Sequence, residues 1–262
     1  MIARDAPDAD SALRVAADAG RLVLESGGET YRAEEAMLAF LTAFGAWNGE
    51  SFATPTGFML SCDGEDGKSR ALVRRVRTRQ MNLERISAID SLARRATAGE
   101  LGFDAVEAEL CALETRSSYP AWLAIPGAAL GAGFFSLLFG GSWKDALVAG
   151  AVGIALGRMV QRIQRARVSD FFANIAGGAI TAFLCMAAAH WGLADAADKA
   201  IIGAIMLLVP GVTITNGIRD IIAGDLVAGI ARMTDAFMSA AGISIGSGVG
   251  LETWMLLTGV LA

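Results

Sequence analysis

AIIGAIMLLVPGVTITNGIRDIIAGD, residues 200–225, decides how the rest of the chain is read. Ten apolar residues from Ala200 to Val209 run without a charge and then meet Pro210 and Gly211. A membrane span needs about 20 mostly apolar residues. Residues 200–218 approach that length, and the proline–glycine pair predicts a break or kink within the span. At 1.5 Å per residue Pro210 lies roughly 15 Å in, about halfway across a hydrocarbon core of ~30 Å. Backbone groups freed at that depth must be satisfied by neighbours, water or a substrate, and transporters use such broken helices as binding sites. Beyond the break Thr213, Asn216 and Asp220 share one helical face, with Thr215 and Arg219 on an adjacent one. Two readings stay open: a binding site, or a kinked structural helix whose Arg219 and Asp220 reach the inner interface.

Four further runs approach the same length: 122–139, 143–161, 171–191 and 236–257. Together with 200–218 they predict five transmembrane helices, an odd number that places the two ends of the chain on opposite sides. Arg158, Arg162, Arg165 and Arg167 lie between the second and third spans, and Arg219 and Arg232 between the fourth and fifth; the other two loops carry only Lys144 and Lys199. The positive-inside rule puts the arginine-rich loops and the N-terminal part in the cytoplasm. Trp122, Trp143 and Trp191 fall at predicted span ends, where amphipathic rings settle. Gly127 with Gly131, Gly153 with Gly157, and Gly246 with Gly250 form GxxxG pairs suited to close helix packing. The GxGxG at 246–250 follows no soluble strand, so packing outweighs a nucleotide reading.

Upstream of the spans the composition changes. The whole chain is 54% hydrophobic and 19% charged with a mean hydropathy of +0.48, yet residues 1–118 mix charge and apolar residues as a globular protein does. The acidic opening MIARDAPDADS does not read as a secretory signal. Leu13, Ala16, Ala17, Gly20, Val23 and Leu24 mark one helix, broken by SGGE at 26–29; Ala36, Met37, Phe40, Leu41 and Phe44 mark a second, with Gly45 as its C-cap. SFATP, GFMLS and ALVRRV read as a small β-meander turning at CDGEDGK. Asn82 can cap a third helix, and Asp104 with Glu107 resembles a capping box for a fourth, after Phe103. The fold class expected is therefore a mainly α membrane protein: a soluble α+β domain over 1–118, then a five-helix transmembrane bundle over 119–262, with the fourth helix broken at Pro210–Gly211.

Several functions are excluded or disfavoured. A net charge of −5 argues against binding nucleic acid. Cys62, Cys111 and Cys185 have no CxxC spacing and one histidine in the chain to join them, so free thiols are expected, with no metal and no cofactor. The soluble part lacks a histidine, a GxSxG and a phosphate-cradling loop, so no enzyme is expected. Glu29, Thr30, Tyr31, Arg32 and Glu35 form a dense polar group at the start of the second helix, either a contact site or a solvated helix face. Asn174, one turn into the third span after a capping Asp170, is a second polar candidate. Glu252 in the last span is either a proton relay or a loop residue, and His190 an interfacial neighbour of Trp191.

SGGETYRAEE (26–35), ATPTGFMLS (53–61), YPAW (119–122), LFGGSWKDALVAG (138–150) and VPGVTITNGIRDIIAGD (209–225) together resemble the threonine/serine exporter family, in particular its short members with a cytoplasmic domain and one set of five spans. The resemblance implies secondary-active efflux of small carboxylate metabolites, threonine/serine-type amino acids or dicarboxylates such as succinate, without ATP. It implies an oligomer with a separate five-span membrane subunit, in the bilayer of the bacterial inner (plasma) membrane. It puts the family's polar motif on Pro210, Gly211, Thr213, Thr215, Asn216, Arg219 and Asp220. The depth of Pro210 and the polar run after it make Arg219 the expected attractor of a substrate carboxylate and Asp220 a candidate proton carrier. The alternative is a regulatory subunit whose soluble domain senses a ligand while a partner forms the path.

Overall fold

The structure is a computed structural model and describes residues 8–116, 121–166 and 169–259. The first seven residues, the expected boundary at 118–119, Tyr119 and Pro120 of YPAW, and Arg167 lie outside the described residues. By its internal contacts the chain divides into two compact units, Met1–Ser118 with Val212–Met233, and Tyr119–Gly211 with Thr234–Ala262.

In the first unit α1 (Ala9–Glu25) and α2 (Thr30–Ala43) form an antiparallel hairpin. Asp8 caps α1 by accepting the Ser11 amide at 2.9 Å. The SGG sequence ends it: Gly27 has φ +77, its amide bonds the Leu24 carbonyl at 3.1 Å, and the Gly28 amide bonds the Val23 carbonyl at 3.0 Å. This is a Schellman turn, which needs a residue free to take the left-handed conformation. Gly45, at φ +76, closes α2 in the same way.

β1 (Trp47–Thr54), β2 (Gly57–Asp63) and β3 (Ser69–Arg75) form an antiparallel meander in sequence order. Ala53, Phe58, Leu60 and Cys62 face the core while Phe52, Met59 and Val73, paired across the strands, face outward, as a period of two requires. α3 (Leu83–Thr97) starts on Asn82, which accepts the Arg85 amide at 2.9 Å. α4 (Phe103–Thr115) departs from the expected capping box: Gly102 holds the N-cap with no side-chain bond, and Asp104 sits in the first turn. Phe103 packs edge-on against Phe44 with centroids 5.1 Å apart, which draws the helix start ahead of Asp104. Leu22, Met37, Phe40, Leu60, Ile89 and Val106 are sealed in this core, each contributing roughly 1.5–3 kcal/mol by burial.

The same unit holds α9 (Gly211–Ala223) from Val212 onward and the beginning of α10 (Leu226–Thr258), as far as Met233. Residues 219–235, expected as an arginine-bearing loop, are instead a helical hairpin turned by Gly224 (φ +96) and Asp225. Gly229 lets the two helices touch, because a Cβ there would meet the Ile221 side chain and the Gly217 carbonyl. α10 thus begins ten residues before the expected position 236 and runs for 33 residues.

In the second unit α5 (Ala121–Leu138) and α6 (Trp143–Ala166) form another hairpin. Asp145 accepts the Ser142 amide at 2.8 Å and the amides of Asp195 and Ala196, both at 2.8 Å, which ties the start of α6 to the segment before α8 (Ala197–Ile205). α7 (Asp170–His190) is preceded by Ser169 at the N-cap, with Asp170 inside the first turn rather than capping it. A Cβ on Gly246 or Gly250 of α10 would strike the carbonyls of Ile175 or Ala179 on α7, so the GxGxG is a packing surface. Gly153 approaches the Ala128 carbonyl comparably, whereas Gly127 has open space around it. Trp254 gathers the rings of Phe183, His190 and Trp191.

Three helical stretches among the described residues are long and apolar enough to cross a membrane: Trp143–Ile163, Asp170–His190 and Leu226–Thr258; Trp122–Leu138 is a shorter apolar helix. Residues 206–210 separate α8, nine residues long, from α9, thirteen residues long, and neither reaches spanning length alone.

Candidate functional site

The Schellman turn after α1 leaves the carbonyls of Gly27 and Gly28 pointing away from their own helix. Both are met by donors about 190–200 positions further along the chain: the Asn216 amide donates to Gly27 at 2.9 Å, and an Arg232 terminal nitrogen to Gly28 at 2.6 Å. Arg232 also donates its Nε to Asp220 at 2.8 Å, forming an ion pair in which Asp220 is fully buried and Arg232 4% exposed. The buried Thr30 hydroxyl lies 3.0 Å from the other Asp220 oxygen and 3.3 Å from Asp225, donating to one at a time. Positive charge thus meets the C-terminal end of α1 and negative charge the N-terminal end of α2, each opposite in sign to the helix-end dipole.

Next to this knot lies a chain of alternating charges. Arg219 contacts Glu29 at 2.8 Å, Glu29 contacts Arg32 at 3.3 Å, and Arg32 contacts Asp90 at 3.1 Å. Together with Gly27, Ser87, Thr215 and Asn216 they line a cavity of about 380 Å³ whose apolar wall is Leu83, Ile86 and Val212. Arg219 keeps 56% of its side chain exposed, whereas Glu29 is nearly sealed. Burial pushes the Glu29 carboxyl up, but its own backbone amide and the guanidiniums of Arg219 and Arg32 outweigh that and hold it below the ordinary carboxylate value. Glu34, one turn after Thr30, goes the other way. Burial raises it, the Ala53 amide donating at 2.7 Å lowers it, and the nearby carboxylates of Asp225 and Asp220 raise it further.

Of the residues singled out from sequence, Glu29, Thr30, Arg32, Thr215, Asn216, Arg219 and Asp220 come together here. Asn216 and Asp220 are buried against the turn rather than open along a path, because the turn's carbonyls and the Thr30 hydroxyl engage them. Pro210 and Gly211 stand at the head of α9, and Thr213 is half-buried on it. Tyr31 and Glu35 face a broader groove between α2 and α3, which shares Arg32 and Asp90 with the cavity. Asn174 in α7 and Glu252, exposed on α10, belong to the second unit. Arg232, Asp90, Asp225 and Glu34 were not singled out. Asp90 follows Ile86 and Ile89 on an ordinary amphipathic helix and carried no signal, but Arg232, a charge in an otherwise apolar helix start, did. Among the described residues no group of His, Cys, Asp and Glu could hold a metal ion.

Helices of membrane-crossing length, together with a small charged cavity, are the parts of a membrane transport protein. The family described as "Putative threonine/serine exporter" matches residues 14–254, and the chain belongs to that family, which is one of transporters and not of enzymes. It is 29% identical over 183 residues to the "Probable threonine/serine exporter" of Mycobacterium tuberculosis, covering 69% of this chain and 34% of that protein. Similarity to the "Threonine/serine exporter" of Corynebacterium glutamicum is 27% over 176 residues, 65% of this chain and 36% of that one. The chain therefore spans about a third of the length of these two relatives. With the "Probable succinate transporter subunit YjjP" of Escherichia coli it shares 22% identity over 247 residues, 93% of this chain and 94% of that protein. No solved structure matches it.

Proposed function

We propose that this chain is the larger subunit of a secondary-active exporter of small carboxylate metabolites, with substrate bound in the cavity that Glu29, Arg32, Asp90 and Arg219 line. The observation that carries this reading is the alternation Arg219–Glu29–Arg32–Asp90 around a space of about 380 Å³, within the size range of about 300–1,000 Å³ usual for small-molecule sites. Two guanidiniums offer bidentate partners for a carboxylate, and two carboxylates offer a place for an ammonium. A zwitterionic amino acid satisfies both, while a dicarboxylate would bring a second negative charge against Glu29 and Asp90. The threonine/serine named for the longer relatives thus fits this cavity better than the succinate named for the shorter one.

In this reading the chain is a five-span protein of a bacterial inner membrane with its N-terminal domain in the cytoplasm, and a separate five-span subunit completes the oligomer. Asn216 and Asp220 serve the site by holding its turn. Counterflow of labelled threonine, serine and succinate in proteoliposomes containing the chain and its partner tests the proposal: exchange of an amino acid that Arg219→Gln lowers about tenfold or more is expected, and exchange indifferent to Arg219→Gln and Asp90→Asn together would overturn it.

A second reading is favoured by the cavity lying in the unit that holds the N-terminal domain. There the cavity senses a ligand and the partner forms the path. The same variants would then leave the maximal rate intact and remove only its response to added amino acid.

A further inference from the structure

We infer that Arg232 is the positioning residue of this cavity: one guanidinium, bridging the Gly28 carbonyl and the Asp220 carboxylate, sets the turn that presents Glu29 to Arg219. The inference rests on the function proposed above and adds a residue that touches no substrate in it. Arg232 does not line the cavity. Its contacts are the Gly28 carbonyl at 2.6 Å and Asp220 at 2.8 Å.

Three observations lead there. A fully buried ion pair costs desolvation that a pair of well-packed apolar side chains avoids, so such a pair is weak evidence for stability and better evidence for registry. The turn it grips has little slack, since a Cβ on Gly28 would meet both the Val23 side chain and the Val23 carbonyl. The arginine is also seated closely: a Cβ on Gly217 of α9 would lie 3.2 Å from the Cβ of Arg232. Movement at Arg232 is therefore passed to Gly28 and on to the next residue, Glu29, whose carboxylate holds Arg219 and Arg32. The planar fork matters as well as the charge, because Nε and a terminal nitrogen serve two acceptors in fixed directions and a lysine ammonium cannot reproduce that geometry.

The test separates positioning from mere stability with two variants of the full chain: Arg232→Lys, and the apolar double variant Asp220→Leu with Arg232→Met. Each is reconstituted with the partner subunit. Counterflow of labelled threonine and succinate is measured beside hydrogen–deuterium exchange of residues 26–33. Loss of a hydrogen bond to a charged group predicts a half-saturation constant raised about tenfold or more in Arg232→Lys, with the maximal rate within about twofold. Exchange of the turn amides should rise by a similar factor. The double variant should keep its thermal stability and still show the raised half-saturation constant. Wild-type half-saturation in the double variant, or unchanged turn exchange in Arg232→Lys, overturns the inference. If the wild-type protein moves neither probe, the proposed function fails, and the exchange measurement alone decides whether Arg232 holds the turn.

Discussion

The Glu29 carboxylate and the Arg219 guanidinium, 190 positions apart in the chain, meet at 2.8 Å. Glu29 follows the two glycines that end the first helix, and Arg219 stands one residue before a buried aspartate on α9. Each belongs to a polar group that its own stretch of sequence marks, but nothing in either stretch pairs the two. Their meeting turns two local polar groups into one charged cavity.

Arg219→Gln is expected to cost little folding stability, because the arginine is more than half exposed and Arg32 still pairs with the nearly sealed Glu29. Transport should fall about tenfold or more if the guanidinium binds a carboxylate directly, since a charged hydrogen bond is worth about 1.5–3 kcal/mol. Thermal unfolding in detergent and counterflow on the same preparation check both halves.

Asp90→Asn keeps the size of the side chain and removes the acid at the far end of the charge chain. The ratio of threonine to succinate exchange should shift toward succinate, since one of the two carboxylates that repel a second negative charge is gone. Competition between the two labelled substrates measures the ratio directly, and an unchanged ratio rules out Asp90 as a discriminating group.

Glu34 makes stability depend on pH with a definite sign. Its folded-state affinity for a proton is raised above the ordinary carboxyl value of 4.5 by burial and by Asp225 and Asp220. The contribution is therefore fully present below that value and is lost as pH rises through the elevated folded pKa. Glu34→Gln mimics the protonated form and should flatten this part of the profile, with its gain over wild type largest at neutral pH. Glu29 has the opposite sign, its contribution being lost as pH falls through a value below 4.5. Melting temperatures between about pH 2.5 and 8, taken on wild type, Glu34→Gln and Glu29→Gln, separate the two.

Gly246→Val places a branched side chain against the Ile175 carbonyl. Overpacking of a tight contact costs about 1–3 kcal/mol, so the variant should melt earlier in detergent, while Gly127→Val, with open space at that position, should not. Equal losses at both sites would show that the α7–α10 contact is not the close one.

Much of the fold was legible because it depends on local periodicity. The two Schellman glycines, the meander and the Asn82 cap follow from spacing and backbone freedom alone, and so does the interruption near Pro210, a residue without an amide proton. The start of α10 was missed for a physical reason: Arg219, Asp220, Asp225 and Arg232 made 219–235 read as a polar connector. A charge in an apolar stretch marks a loop unless a partner neutralises it, and the partner of each lay elsewhere in the chain or across the hairpin.

The amino-acid sequence by itself determined most of the helical segments, though not the start of α10, and which family the polar run after Pro210 resembles, since these depend on neighbours three or four positions away. Only the tertiary structure decided that Asn216, Arg219, Asp220 and Arg232 serve the turn at 27–30 and that Asp90 joins them. A hydrogen bond forms between groups that come within about 3 Å, and no local pattern records which two stretches, nearly 200 residues apart, fold to that distance.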